Sequence, residues 1–338
     1  MSLVESMGVE PAALKVANLA VEFKTAAGPA RVVDDVSFEV RAGETVGLVG
    51  ESGSGKTVTC MTIPRLLPSN GRIVGGSVQL KGRELTTLSE AEMRKVRGKE
   101  IGVVFQEPSA SLNPAFTIGH QISAVIRRHE DVTRRAARLR AIELLQLVGI
   151  PRADMRVDAY PHEFSGGMSQ RAMIAMALAC SPSVLLADEP TTALDVTIQA
   201  QILELFRRLQ REMGMALVFV THDLAVVGEM ADRIHVMYSS QTVEQGTRDA
   251  ILAEPRHPYT EGLLAAMPQM VDASGRLNVI PGHAAAATDY AVGCRFADRC
   301  RYTQDACRVA PVPLDLGGSP GSAVRCIRAD ELELRGWK

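Results

Sequence analysis

Eight consecutive residues constrain this chain most: Gly50-Glu51-Ser52-Gly53-Ser54-Gly55-Lys56-Thr57 fits G-x-x-x-x-G-K-[ST], a spacing whose backbone N–H groups cradle phosphates. Such a loop works only between a strand and a helix, and both neighbours comply. Glu44 to Val49 reads as a short buried strand, and Val58-Thr59-Cys60-Met61 begins a helix whose N-terminal dipole favours an anion. Gly50, Ser52, Gly53, Ser54, Gly55 and Val58 then surround the phosphates, Lys56 reaches the β/γ oxygens, and the Thr57 hydroxyl is offered to Mg²⁺. Chance would supply such a match in a chain this long about once in a hundred.

A second element strengthens the reading. Ser183-Val184-Leu185-Leu186-Ala187-Asp188-Glu189-Pro190 is an apolar strand ending in two carboxylates. Asp188 is placed to hold Mg²⁺ through water, and Glu189, at the strand's mouth, to polarise a water attacking a γ-phosphate. A strand that merely ends in acidic turn residues is common alone, but not beside such a loop.

Composition sets the bounds. The chain has 338 residues, 46% of them hydrophobic, enough for one large or two modest packed domains. A formal charge of −2 gives no global basic field, so nucleic acid is not an expected partner. No apolar run reaches the roughly 18 residues needed to span a bilayer, and Met1 to Glu10 lacks a basic start and an apolar core. The expectation is a cytoplasmic protein whose membrane role, if any, runs through other subunits.

Along the chain, Leu14 to Val40 carries alternating strand patterns broken by Thr25-Ala26-Ala27-Gly28-Pro29, which predicts an antiparallel sheet. Gly102 to Gln106 is another strand, followed by a Pro/Ser/Asn-rich loop from Glu107 to Pro114. Ile118 to Val148 turns helical and stops at Gly149 and Pro151. After it come helices over Ser169 to Ala179 and Thr197 to Glu212, and a strand from Ala216 to Val220. The alternation predicts an α/β fold, a mostly parallel sheet with helices on both faces and a helical insert.

Phe164-Ser165-Gly166-Gly167-Met168, followed by Gln170-Arg171, resembles the signature motif of ABC-type ATPases. With it Gln106 resembles the Q-loop glutamine, Ala193-Leu194-Asp195 the D-loop, and His222 after Phe219-Val220-Thr221 the switch histidine; the likeness runs from about Leu14 to Gly262. It implies a P-loop NTPase (RecA-like) ABC ATPase core with an antiparallel β subdomain, an inserted α-helical subdomain and a Cys-rich C-terminal extension. Chemically, Ser165 caps a helix while Gly166 and Gly167 let the backbone approach a phosphate. In the family this end closes on ATP held by the partner's loop, so the chain is expected to dimerise. The resemblance makes Glu189, His222 and Gln106 catalytic, gives Asp195 to the nucleotide interface, and lets Gln106 touch Mg²⁺ or water. Phe23 is the candidate for stacking on adenine. His120, His129, His162, His235, His257 and His283 read as ordinary buried histidines. Two departures stand out: Met168 where glutamine is usual, and Thr192-Ala193 where serine precedes the leucine.

Gln106-Glu107-Pro108, Ser111-Leu112-Asn113-Pro114 and Arg256-His257-Pro258-Tyr259-Thr260 resemble the ATPase subunits of dipeptide, oligopeptide and nickel importers. That likeness implies a homologous ATPase partner forming a heterodimer, two permeases met by Glu107 to Phe116, an extracytoplasmic solute-binding protein, and a place on the cytoplasmic face of the membrane. An importer of nickel or another small solute and a soluble ABC ATPase are the alternatives. The ATPase domain is expected over residues 1–265, with its helical subdomain at about 116–180, and the extension over 266–338.

Six cysteines divide unevenly: Cys60 and Cys180 sit in apolar stretches and read as core, whereas Cys294, Cys300, Cys307 and Cys326 follow a C-x5-C-x6-C-x18-C spacing. In a reducing compartment four close thiols favour a metal over disulfides, and zinc and [4Fe–4S] both accept four thiolates. Spacing leaves both open. Gly293-Cys294-Arg295-Phe296, Arg299-Cys300 and Asp305-Ala306-Cys307 resemble the cluster-bearing tail of peptide importer ATPases, which implies [4Fe–4S] in a structural role. A redox sensor acting on transport is a further reading.

Overall fold

The computed structural model describes residues 12–192, 194–267, 279–315 and 321–337. The expectations placed on Met1 to Glu10 and on Ala193 lie outside them.

The antiparallel layer forms as the alternation predicts. β1 (Leu14–Thr25) turns back into β2 (Gly28–Val40). β3 (Thr45–Val49), buried at all five positions, runs to α1 (Lys56–Thr62). β4 (Gly71–Leu80) and β5 (Arg83–Glu84) then complete a four-stranded sheet in the order β2-β1-β4-β5. α2 (Glu90–Val96), β6 (Ile101–Val104) and the single turn α3 (Pro108–Ser111) follow.

The helical insert is α4 (Ile118–His129), α5 (Arg134–Leu147), α6 (Ala153–Arg156) and α7 (Gly166–Ala177). Thr117 and Thr133 cap α4 and α5 by accepting the N–H of His120 and Ala136. Ile118, Ile122 and Ile126, four residues apart on one helix face, pack with Ala137, Ala141 and Leu145 of α5 and with Met173 of α7 in one apolar cluster.

β7 (Val184–Asp188), α8 (Val196–Met213), β8 (Ala216–Thr221), α9 (Leu224–Met230) and β9 (Arg233–Tyr238) restore the α/β alternation. β10 (Gln241–Thr247), α10 (Arg248–Ala253), α11 (Pro258–Ala265) and the two-residue β11 (Ala323–Val324) end it. The second sheet has the order β11-β10-β9-β3-β8-β7-β6. β9, β3, β8, β7 and β6 run parallel, and β10 and β11 close the edge antiparallel. Strands buried along their whole length are what a parallel sheet with helices on both faces requires. Phe206 of α8 meets Phe219 of β8 edge-on with ring centroids 5.8 Å apart, tying a helix to the sheet centre.

Local chemistry moves some boundaries. α1 starts at Lys56, ahead of the expected Val58, because Gly55 adopts φ 98° and caps it. α7 starts at Gly166 rather than Ser169, because the Ser165 side chain accepts the Met168 N–H. Cys60 is core as expected, whereas Cys180 lies beyond the end of α7 and is half-buried. His235 and His257 are buried, but His120, His162 and His283 are exposed, so the core reading fails for those three. Among the described residues no helix is long and apolar enough to cross a membrane.

Candidate active site

The parallel strands β3, β6, β7 and β8 deliver their carboxyl ends to one edge, where ligands bind in open α/β sheets. The phosphate loop leaves β3. Two of its glycines are sterically required: a Cβ on Gly50 would sit 2.0 Å from the Met237 carbonyl oxygen, and one on Gly55 would sit 2.6 Å from that of Val32. Lys56 is 4% exposed and its Nζ donates to the carbonyls of Gly50 at 2.7 Å and Glu51 at 2.9 Å. Burial lowers its pKa, opposed by the nearby charges of Glu189, Asp188 and Glu51.

Thr57 Oγ1 donates to Asp188 Oδ1 at 3.0 Å, which joins the loop to β7. Burial raises the Asp188 carboxyl to about 6, with the Thr57 bond pulling the other way. Two hard oxygen donors this close suit a magnesium ion that keeps most of its waters, and a bound cation would return Asp188 to the ionised form.

Glu189 is the junction of the site. Its Oε2 lies 3.1 Å from His222 Nδ1, accepts the Thr192 hydroxyl at 2.9 Å and stands 3.4 Å from Gln106 Nε2. Its backbone takes φ 45° while its N–H donates to Val220 O at 2.9 Å. The carboxylate is 13% exposed and His222 56% exposed, so the glutamate is sheltered and the histidine faces outward. Three sequence-predicted residues, Gln106, Glu189 and His222, therefore meet on one oxygen. Thr192 was missed as a participant and noted only as a departure; its position three residues past Glu189, where a hydroxyl folds back onto a turn, was the available signal.

Ser165, exposed, caps α7, and a Cβ on Gly167 would sit 2.8 Å from Ile198 Cγ2, so the signature is pinned against α8. Asp195 caps α8 by accepting the Ile198 N–H at 3.0 Å. Phe23 is half-buried in β1 and covers the Cα of Gly71 on β4. Glu107 to Phe116 is largely exposed, and Phe116 stacks on His120 with centroids 4.8 Å apart.

The tail brings its four cysteines to one place. Cys294, Cys300, Cys307 and Cys326 line one pocket, walled by His257, Phe296 and Pro258. Burial pushes the Cys294 thiol up to about 11, and the other three thiols add to the shift; burial also raises Cys300 and Cys326. Among the described residues no three His, Cys, Asp or Glu side chains converge closely enough to hold a single metal ion.

The profile of the ABC transporter family matches residues 33–192, and that of the oligopeptide/dipeptide transporter C-terminal region matches 243–307. Among solved structures, a dimeric ATP-binding cassette, MJ0796, bound to ADP and Pi matches with a TM-score of 0.63 at 28% identity, covering 70% of this chain and 98% of that one. CbiO1 of Clostridium perfringens, part of the ABC transporter complex cbiONQ, matches with a TM-score of 0.62 at 25% identity over 72% and 92%. The chain is an ABC ATPase cassette. A peptide import ATP-binding protein of Brucella abortus is 51% identical over 313 residues, 93% of this chain and 94% of that protein. The oligopeptide transport ATP-binding protein OppD of Bacillus subtilis is 52% identical over 292 residues, 86% and 81%. The chain belongs to the family of peptide import ATP-binding proteins of ABC transporters.

Proposed function

We infer that this chain is the ATP-hydrolysing subunit of an ABC importer that powers peptide uptake across the cell membrane. The observation that carries hydrolysis is the meeting of His222, Thr192 and Gln106 on Glu189 Oε2. The peptide reading is supported by the match of residues 243–307 to the peptide transporter C-terminal region.

In this reading the triphosphate lies along Gly50 to Thr57, on loop N–H groups and the N-terminus of α1, with Lys56 turned from the Gly50 and Glu51 carbonyls to the β/γ oxygens. Thr57 and Asp188 would hold Mg²⁺, which would supply positive charge to offset that developing in phosphoryl transfer. Glu189 takes the proton of the attacking water as the new O–Pγ bond forms and the bond to the β-phosphate oxygen breaks, releasing ADP. His222 fixes the Glu189 carboxylate and reaches the γ-phosphate; Gln106 senses the same carboxylate from the loop after β6. Phe23 takes the adenine.

The exposed Ser165-Gly166-Gly167 end and Asp195 complete the site of a second, homologous ATPase, in a heterodimer. Glu107 to Phe116 docks on two permeases at the inner face of the membrane, and a solute-binding protein delivers peptide to them. The ATPase domain runs to residue 265, with its helical subdomain at about 116–180, and the cysteine-rich extension begins at 266. Closure of the dimer on ATP drives the permeases, and hydrolysis resets them.

The extension holds a [4Fe–4S] cluster on Cys294, Cys300, Cys307 and Cys326. Support comes from the donor set: four thiols line one pocket, and a [4Fe–4S] cluster is held by four thiolates. Bound there, the cluster ties together a segment with little apolar core.

Glu189→Gln keeps shape and hydrogen bonds but removes the base. In the complex with its permeases, we expect about a thousandfold loss of ATP turnover and no uptake of labelled peptide, with ATP still bound. Turnover at the parent rate would overturn the assignment. Anaerobic preparations should carry about four irons per chain, and a single zinc or none would overturn the cluster.

A further inference from the structure

Between two of the cavity's cysteines, Cys294 and Cys300, Arg299 leaves the tail and reaches the phosphate loop. Its guanidinium forks onto Glu51, Nη1 to Oε2 at 2.7 Å and Nη2 to Oε1 at 2.9 Å, and its Nε donates to the Pro281 carbonyl at 2.8 Å. The Arg299 side chain is 7% exposed and that of Glu51 31%. A two-pronged bond of this kind fixes direction as well as charge.

The main chain of Glu51 is held too. Its N–H donates to the Tyr259 hydroxyl at 2.8 Å, and its carbonyl accepts Lys56 Nζ at 2.9 Å. Tyr259 packs on Tyr238 and on Phe296, with centroids 4.6 Å and 5.4 Å apart, and Phe296 lines the cysteine cavity. The second residue of the loop is therefore gripped at carboxylate and backbone by the tail and its platform. An unpaired carboxylate at that point would repel a triphosphate, and the guanidinium cancels it.

We propose that Arg299 is a positioning residue for ATP binding, through which the cysteine-bearing turn neutralises Glu51, fixes the phosphate loop and makes nucleotide affinity answer to the state of the tail. The inference rests on the assignment of the loop to ATP and is indifferent to what fills the cavity.

The test is equilibrium binding of Mg·ATP to the full chain, with kcat and KM read in the permease complex. Arg299→Met is expected to raise the Kd about tenfold, with kcat at saturating ATP unchanged. Adding Glu51→Gln to Arg299→Met should recover most of the affinity, because the uncancelled charge is gone. Cys300→Ser should weaken binding in the parent and add nothing in the double variant. Arg299→Lys, which keeps the charge but loses the fork, should fall between parent and Arg299→Met, and it carries the test if the methionine variant fails to fold. Parent-like binding by Arg299→Met, absence of rescue by Glu51→Gln, or an additive loss from Cys300→Ser would each overturn the proposal. A folded parent that binds no ATP would overturn the assignment on which it rests.

Discussion

The cassette and the C-terminal tail are held by different forces. In the cassette, β3 and β7 are buried at every position, and apolar clusters fill both faces of the sheet. Among the described residues of the tail, regular structure amounts to the 3₁₀ turn Asp305–Arg308 and the two residues of β11. Phe296 gives the tail an apolar anchor on Tyr238 and Tyr259, and arginines do much of the remaining fastening. Arg325 donates to Thr242 O at 3.0 Å, Val312 O at 2.8 Å and Asp35 Oδ2 at 3.2 Å; Arg295 reaches Ser239 O at 2.6 Å, and Arg328 reaches Tyr302 O at 2.6 Å. A region fastened by one apolar anchor and a few charged points can release alone, whereas a continuous apolar core fails as one body.

The sharpest way to break this comparison is to damage each region once. Phe206→Ala removes a fully buried ring from the cassette and should lower global stability by about 4 kcal/mol, seen as one cooperative shift in urea unfolding. Arg325→Met removes the donor to the Thr242 and Val312 carbonyls, while Asp35, half exposed, keeps the Asn18 amide; it should cost about 2 kcal/mol, but locally: limited proteolysis should cut within residues 279–337 while the cassette stays whole. A single global transition in both variants would erase the distinction.

A smaller effect probes the seam. Glu244 of β10 pairs with Val324 of β11, and its carboxyl accepts the N–H of Arg256 at 2.6 Å and of His257 at 3.0 Å. Burial nevertheless raises it from 4.5 to about 7. The folded form therefore holds a proton that the unfolded chain gives up, and the stability this provides is full below pH 4.5 and lost as pH rises toward 7. Comparing Glu244→Gln with the parent between those limits, the parent should lose up to about 1.4 kcal/mol per pH unit that the variant does not. Parallel stability profiles would mean that the seam tolerates the ionised carboxylate.

What the chain reveals on its own follows the same division. Gly50 to Thr57, Asp188, Glu189 and His222 were readable because each sits at the end of an apolar strand, where pattern and chemistry coincide. The antiparallel layer and the helical insert followed from periodicity. The fork of Arg299 on Glu51 spans 248 positions, and the pair Arg325–Asp35 spans 290; neither has a local signature, because an arginine in a turn-rich segment looks solvated until the fold brings its partner. Thr192 fell between these cases, adjacent in sequence to a residue already singled out, yet read as a departure because its partner is an oxygen atom and not a motif position.

The left-handed backbone at Glu189 sets local strain against the placement of its carboxylate. An L-residue there costs about 1–2 kcal/mol, and the strain belongs to the peptide unit and not to the carboxylate. A glycine at this position would relax the main chain but remove the carboxylate on which Thr192, His222 and Gln106 meet. The same peptide unit that carries the strain thus aims the carboxylate at its three partners.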